Sequence, residues 1–167
     1  LYGLPYQTLE TMAATVRAIV SLAPDRIALF GYAHVPWMKK HQTMINEAAL
    51  PGIVARFEQM TMAAQVLLAA GYEAIGIDHF ALPADRLAVS ARNGTLRRNF
   101  QGYTDDQADA LVGLGASAIG QLPQGYLQNS PATGEYLRQA EEGGLAVVRG
   151  YALTQEDHAR AWVIERV

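Results

Sequence analysis

The sequence predicts an α/β fold, the end of a parallel α/β domain joined to a mostly helical α+β region. Three observations carry this. Half of the 167 residues are apolar, enough to build a core. Residues 1–36 read as strand, helix, strand, the minimum of a βαβ unit. From Trp37 onward the pattern changes to amphipathic helical stretches separated by short strands and glycine-rich turns.

Leu1-Tyr2-Gly3-Leu4-Pro5 reads as the end of a buried strand. Leu9, Met12, Val16 and Ile19 then recur at helical spacing, with Thr8 placed to cap and Pro24 to stop the helix. Arg26 to Tyr32 is short, apolar and bounded by turn signals, which suits a buried strand. Two parallel strands with one crossover do not complete a sheet, so earlier strands are expected upstream, and both chain ends read as cut. Beyond Pro51-Gly52, the residues Ile53, Phe57, Met60, Ala64, Leu67 and Leu68 predict a long helix packed along that stripe, with Gly71 at its C-terminal cap. Ala74 to Ala81 reads as one short strand running into a polar loop. Pro83 opens a helix through Leu87 and Ala91 to Asn93-Gly94. Arg97 to Tyr103 is an extended or looped segment. Thr104 with Gln107 suggests a capping box for a helix to about Val112. Further expected elements are a helix near 131–142, a strand over Ala146–Tyr151 and a last helix from Thr154, with Asp157 in the capping-box position.

Composition narrows the function classes. Thirteen Lys and Arg against sixteen Asp and Glu give a net charge of −3, which disfavours a dedicated nucleic-acid binder. Only 17% of the residues are charged, below the roughly 25% usual for a free-standing domain, so part of the surface is expected to face another part of a larger protein. Cysteine is absent, which removes disulfides, thiolate metal ligands and a cysteine nucleophile from these residues. No run approaches the ~18 apolar residues of a membrane span.

Four histidines, His34, His41, His79 and His158, lack the i, i+4 spacing of a zinc helix. His34 follows a strand end, where ligands bind in parallel sheets, although a hydrogen bond to a loop carbonyl is the simpler role. Asp78-His79 could be an acid/base pair, but neighbours on a strand point to opposite faces, which favours a turn-capping Asp78. Arg97 and Arg98 could clamp a carboxylate or phosphate, because a guanidinium pairs bidentately with either. Gly113-Leu114-Gly115 lacks the third glycine and the strand-to-helix setting of a dinucleotide fingerprint. Close approach to a flat ligand competes there with a turn that needs positive φ. Met12, Met60 and Met62 read as core filling.

Taken in order, Gly31-Tyr32-Ala33-His34-Val35-Pro36, Gly76-Ile77-Asp78-His79-Phe80-Ala81, Arg98-Asn99-Phe100-Gln101-Gly102-Tyr103-Thr104 and Gly113-Leu114-Gly115-Ala116-Ser117-Ala118-Ile119 closely resemble the oxygen-independent coproporphyrinogen III oxidases. These are radical S-adenosylmethionine enzymes. The resemblance runs along the whole chain, and the Asn-Phe-Gln-Gly-Tyr-Thr run separates the oxidases from their haem-chaperone relatives.

The resemblance implies the last two strands of a (β/α)6 partial barrel in residues 1–36, a cover region in 37–153 and the start of a helical domain in 154–167. It implies oxidative decarboxylation of two propionates of coproporphyrinogen III to the vinyl groups of protoporphyrinogen IX, in haem biosynthesis in the cytoplasm. The implied cofactors are S-adenosylmethionine and a [4Fe–4S] cluster, which together generate a 5′-deoxyadenosyl radical. The implied partners are the substrate, an electron donor and the rest of the barrel. The cluster-binding Cys-x-x-x-Cys-x-x-Cys motif is absent here, so these residues alone are expected to be inactive. Motif match places Ala33 and Ile119 against S-adenosylmethionine, through backbone and apolar surface. Arg97 or Arg98 as a propionate clamp is a separate expectation from charge and adjacency. The competing reading is a non-enzymatic relative that binds a tetrapyrrole or haem.

Overall fold

A computed structural model describes residues 1–164. The chain is mixed α/β and divides into two compact units, Leu1–Asp105 and a second from Asp106.

In the first unit, helix α1 spans Leu9–Leu22. Thr8 caps it reciprocally: its Oγ1 accepts from the Thr11 N–H at 3.3 Å, and Thr11 Oγ1 accepts from the Thr8 N–H at 2.9 Å. Ala23, in a left-handed conformation, and Pro24 end it. Strand β1 is Arg26–Ala28, and two 3₁₀ turns follow at Lys40–Met44 and Glu47–Ala49. Helix α2, Ile53–Ala69, lies against α1, and Gly71 follows it at φ +91°.

The buried line of α2 is Gln59, Ala63 and Leu67, at steps of four. This differs from the expected stripe: Ile53 is 88% exposed and Phe57 62%. Ala63 has the small side chain that lets two helices approach closely, and the Gln59 amide answers backbone groups in the opposing segment, so a polar residue faces inward. The core joins Met12 and Val16 of α1 to Ala63, Leu67, Leu29, Tyr72 and Phe80. Truncating a residue as buried as Leu67 costs about 2–5 kcal/mol in such a setting.

The expected single strand over 74–81 is two strands, β2 (Glu73–Ile75) and β3 (His79–Ala81), folded back as a hairpin at Gly76. Gly76 sits at φ +58°, which favours glycine and breaks the extended run. β3 pairs antiparallel with both β1 and β2, giving the order β1-β3-β2. Parallel pairing is seen at one bridge, Tyr2 with Gly31, where the Tyr2 N–H donates to Phe30 O and the Tyr2 carbonyl accepts from the Tyr32 N–H. Helix α3, Arg86–Arg92, is capped by Asp85 rather than opened by Pro83. Hairpin β4 (Arg97–Asn99) and β5 (Gly102–Thr104) completes the unit.

The helix expected from Thr104 to Val112 does not form. Thr104 is drawn into β5 opposite Arg97, the Asp105 carboxylate pairs with Arg86 at 2.5 Å, and Asp106 caps its own turn at the Ala108 N–H. The second unit is also richer in strand than the mostly helical expectation. Strands β6 (Ile119–Leu122), β7 (Gly125–Asn129) and β8 (Val147–Ala152) form an antiparallel sheet in that order. Pro123 and Gln124 turn β6 into β7, and Gly125 is required because a Cβ there would strike the Tyr151 carbonyl. Helix α4 is Thr133–Glu141, with Gly143 at φ +74° past its end, and helix α5 is Gln155–Ile164. At the start of α5, the Asp157 carboxylate accepts from the Thr154 N–H and Oγ1, as the capping-box spacing predicts. No helix among the described residues is long and apolar enough to cross a membrane.

Candidate functional site

The Tyr2–Gly31 bridge places two strand ends side by side, and the first unit builds its polar groups around them. Past the bridge, Gln42 is buried and grips the chain twice: its Oε1 accepts from the Val35 N–H at 2.6 Å, and its Nε2 donates to Ala33 O at 3.1 Å. Ala33 is thereby fixed with its surface exposed. His34 does not bind a loop carbonyl. Its Nδ1 meets the Tyr32 hydroxyl and its Nε2 meets Glu47 Oε1, both at 3.1 Å. Arg56, from the first turn of α2, donates from Nη2 to Tyr32 O at 2.8 Å.

A line of rings continues from the second strand end. Phe30 and His79 meet edge to face at 5.7 Å, as do His79 and Tyr103 at 5.4 Å, and the Arg98 guanidinium lies 5.2 Å from the Tyr103 ring centre. A cleft of about 340 Å³ opens beside this line, bordered by Tyr2, Phe30, Gly31, Met60, Ile77 and Asp78. Asp78 lies in the hairpin turn rather than on a strand. The alternation that would part it from His79 therefore does not apply, and its Oδ1 meets His79 Nδ1 at 2.7 Å. This bond sets the Nδ1–H tautomer and leaves Nε2 as the ring's other polar atom. The Cε1–Nε2 edge faces Gly102, where a side chain would begin 3.6 Å from Cε1.

Arg97 and Arg98 lie on β4, opposite Thr104 and Tyr103 respectively. Successive side chains on a strand point to opposite faces, so the two guanidinium groups do not form one clamp. Both are half-buried, and Arg98 is engaged by Tyr103.

In the second unit, Ile119 begins β6 opposite Gln128, and the segment before it is held from β7 and α4. Asn129 Nδ2 donates to the carbonyls of Gly113 and Gly115, both at 3.0 Å, and the Gly115 N–H donates to the Tyr136 hydroxyl at 3.1 Å. Gly115 has φ +99°, and a Cβ on Gly113 would lie 2.8 Å from the Ile119 carbonyl group. The glycines thus serve a turn and a backbone approach within the chain. The same unit shifts two acids. Hydrogen bonds from Thr154 lower the Asp157 carboxyl from its ordinary value, and the bond to Asp157 raises the Tyr151 phenol.

Among the described residues, no group of three or more His, Asp or Glu gathers as a metal site. Sequence reasoning did not single out Gln42, Glu47 or Arg56. Arg56 had one available signal: two glycines, Gly3 and Gly31, at the ends of the two paired segments, where room for a neighbouring side chain is needed.

No protein-family model matches the chain. It is 52% identical over all 167 residues to "Coproporphyrinogen III oxidase, anaerobic 1" of Cereibacter sphaeroides, covering 37% of that protein. It is 54% identical over its full length to the oxygen-independent coproporphyrinogen III oxidase of Bradyrhizobium diazoefficiens, again 37% of the relative. The solved structure of coproporphyrinogen III oxidase (HemN) from Escherichia coli, described as a radical SAM enzyme, superposes with a TM-score of 0.87 at 43% identity, covering 98% of this chain and 38% of that one. The chain spans a little over a third of the length of these relatives.

Proposed function

We propose that this chain, a homologue over its whole length of one segment of the oxygen-independent coproporphyrinogen III oxidases, is part of such an enzyme. The activity is oxidative decarboxylation of two propionates of coproporphyrinogen III to vinyl groups, in haem biosynthesis in the cytoplasm. The observation that carries this reading is the uninterrupted 52% identity over 167 residues, together with the TM-score of 0.87.

The Tyr2–Gly31 parallel bridge supports residues 1–36 as the last two strand ends of a (β/α)6 partial barrel. Residues 37–153 would be the cover and 154–167 the start of a helical domain, of which residues 165–167 lie outside the described residues. On this reading the remaining barrel strands are a partner of the Tyr2 segment.

S-adenosylmethionine, when bound, supplies the hydrogen-abstracting radical. Ala33 and Ile119 would hold it. Ala33 suits that role, being exposed at a strand end and fixed by Gln42. Ile119 suits it because Asn129 and Tyr136 hold the loop before it. Both offer backbone and apolar surface rather than side-chain donors. The [4Fe–4S] cluster does not fit this chain, which contains no cysteine, so its ligands would lie elsewhere in the protein, and an electron donor would be a separate partner. Arg97 would face a propionate, while Arg98 steadies the hairpin through Tyr103.

Anaerobic turnover of coproporphyrinogen III by the protein that carries this chain tests the proposal. Protoporphyrinogen IX with two CO₂ per substrate is expected. Tight tetrapyrrole binding without decarboxylation, under conditions where a relative turns over, would favour a binding protein instead.

A further inference from the structure

We infer that Arg56 is a carboxylate-binding residue at the mouth of the two paired strand ends. The inference rests on the function proposed above for the source of its ligand. It starts from a charge without a counter-charge. Arg26, Arg86, Arg92, Arg138 and Arg160 each pair with a carboxylate. Arg56 is half-buried, and among the described residues no carboxylate pairs with it. Its one hydrogen bond runs from Nη2 to Tyr32 O, so one of five N–H donors is used.

The chain makes room for this guanidinium. A Cβ on Gly3 would lie 2.8 Å from Arg56 Nε, and one on Gly31 would lie 3.1 Å from Nη2. Gly31 is one half of the Tyr2–Gly31 bridge and Gly3 follows Tyr2, so the cation stands at the carboxyl ends of two parallel segments, where α/β folds bind ligands. Stitching Tyr32 O to α2 needs one donor and no charge. A planar fork with free donors, held partly out of water, is suited to a bidentate carboxylate. Two carboxylates are available in the proposed reaction: a propionate of the tetrapyrrole and the amino-acid carboxylate of S-adenosylmethionine.

Equilibrium binding to the full-length protein that carries this chain separates them. The probes are coproporphyrin III and its tetramethyl ester, and S-adenosylmethionine and its decarboxylated form. Arg56→Gln keeps a donor for Tyr32 O and removes the charge. It is expected to weaken one of the two acids about tenfold or more and to leave its carboxylate-free counterpart unchanged. The acid that weakens identifies the source. Arg56→Lys keeps the charge without the fork, so it should weaken the same acid less. Should Arg56→Gln fail to fold, Arg56→Lys carries the test by the same comparison of acid with counterpart. Unchanged binding of both acids, or equal weakening of acid and counterpart, would overturn the assignment. Wild-type protein that binds neither acid would instead overturn the proposed function, and this inference with it.

Discussion

The Tyr103 hydroxyl accepts a hydrogen bond from the Ile77 N–H at 3.0 Å, and its ring occupies the space a side chain on Gly76 would need. A Cβ there would lie 2.0 Å from the ring, and Gly76 has φ +58°. Hairpin β4–β5 is thereby latched onto hairpin β2–β3. Gly76→Ala should destabilise by about 2 kcal/mol or more, from positive-φ strain and displacement of the ring together. Tyr103→Phe should cost only about 1 kcal/mol, the worth of one hydrogen bond. Urea midpoints of the two variants check this. A Gly76→Ala protein as stable as wild type would remove the latch.

Gln59 is 1% exposed and makes two long-range bonds, accepting from the Gly3 N–H at 2.9 Å and donating to Gln7 O at 2.8 Å. Gln59→Leu keeps the volume but orphans both backbone groups. It should cost about 2–6 kcal/mol, at roughly 1–3 kcal/mol for each of the two unsatisfied groups. The Gly3 amide should also lose hydrogen-exchange protection, whereas a merely space-filling Gln59 would leave that amide protected.

Asp157 and Tyr151 make the start of α5 sensitive to pH in two directions. The folded Asp157 carboxyl is held below its ordinary value by the Thr154 bonds. Its stabilising effect is therefore present above the ordinary aspartate range and lost as pH falls through the lowered value. The folded Tyr151 phenol is raised by its bond to Asp157. Its contribution is present below the ordinary tyrosine range and lost as pH rises through the raised value. Ultraviolet titration should show the Tyr151 phenol ionising above the ordinary tyrosine value, and Asp157→Asn should lower it. A single unperturbed tyrosine titration in the wild type would contradict the Tyr151–Asp157 bond.

Arg97 and Arg98 should separate in kinetics. Arg98 lies over Tyr103, so Arg98→Ala should cost roughly 0.5–2 kcal/mol of stability and leave KM nearly unchanged. Arg97, on the opposite face of β4, should raise KM for the tetrapyrrole about tenfold on Arg97→Ala, as a lost charged hydrogen bond would. Unchanged kcat and KM in both variants would remove Arg97 from substrate binding.

Local signals were legible where a chemical device sits beside the element it controls. Thr8 before α1, Thr154 with Asp157 at α5, and Gly71 past the end of α2 were all readable. Signals that depend on a distant partner were not. Gln59 turns inward because the Gly3 amide, 56 residues away, needs an acceptor, and no period in α2 announces that. The Thr104–Gln107 capping box was outcompeted by pairing with Arg97 and by Arg86 on Asp105. The Asp78–His79 contact followed from the turn at Gly76, which a single strand over 74–81 concealed. The family was legible because its motifs are local runs. Arg56 was not, because its meaning lies in two glycines from other segments.

The most direct test exchanges segments. This chain replaces the 167 residues it matches in the Cereibacter sphaeroides relative, to which it is 52% identical, and the chimera is assayed anaerobically with coproporphyrinogen III. The account predicts protoporphyrinogen IX formation within about tenfold of the parent in kcat/KM, a difference of about 1.4 kcal/mol. A folded chimera that carries the parent's cluster, binds S-adenosylmethionine and yet releases no CO₂ from coproporphyrinogen III would contradict it.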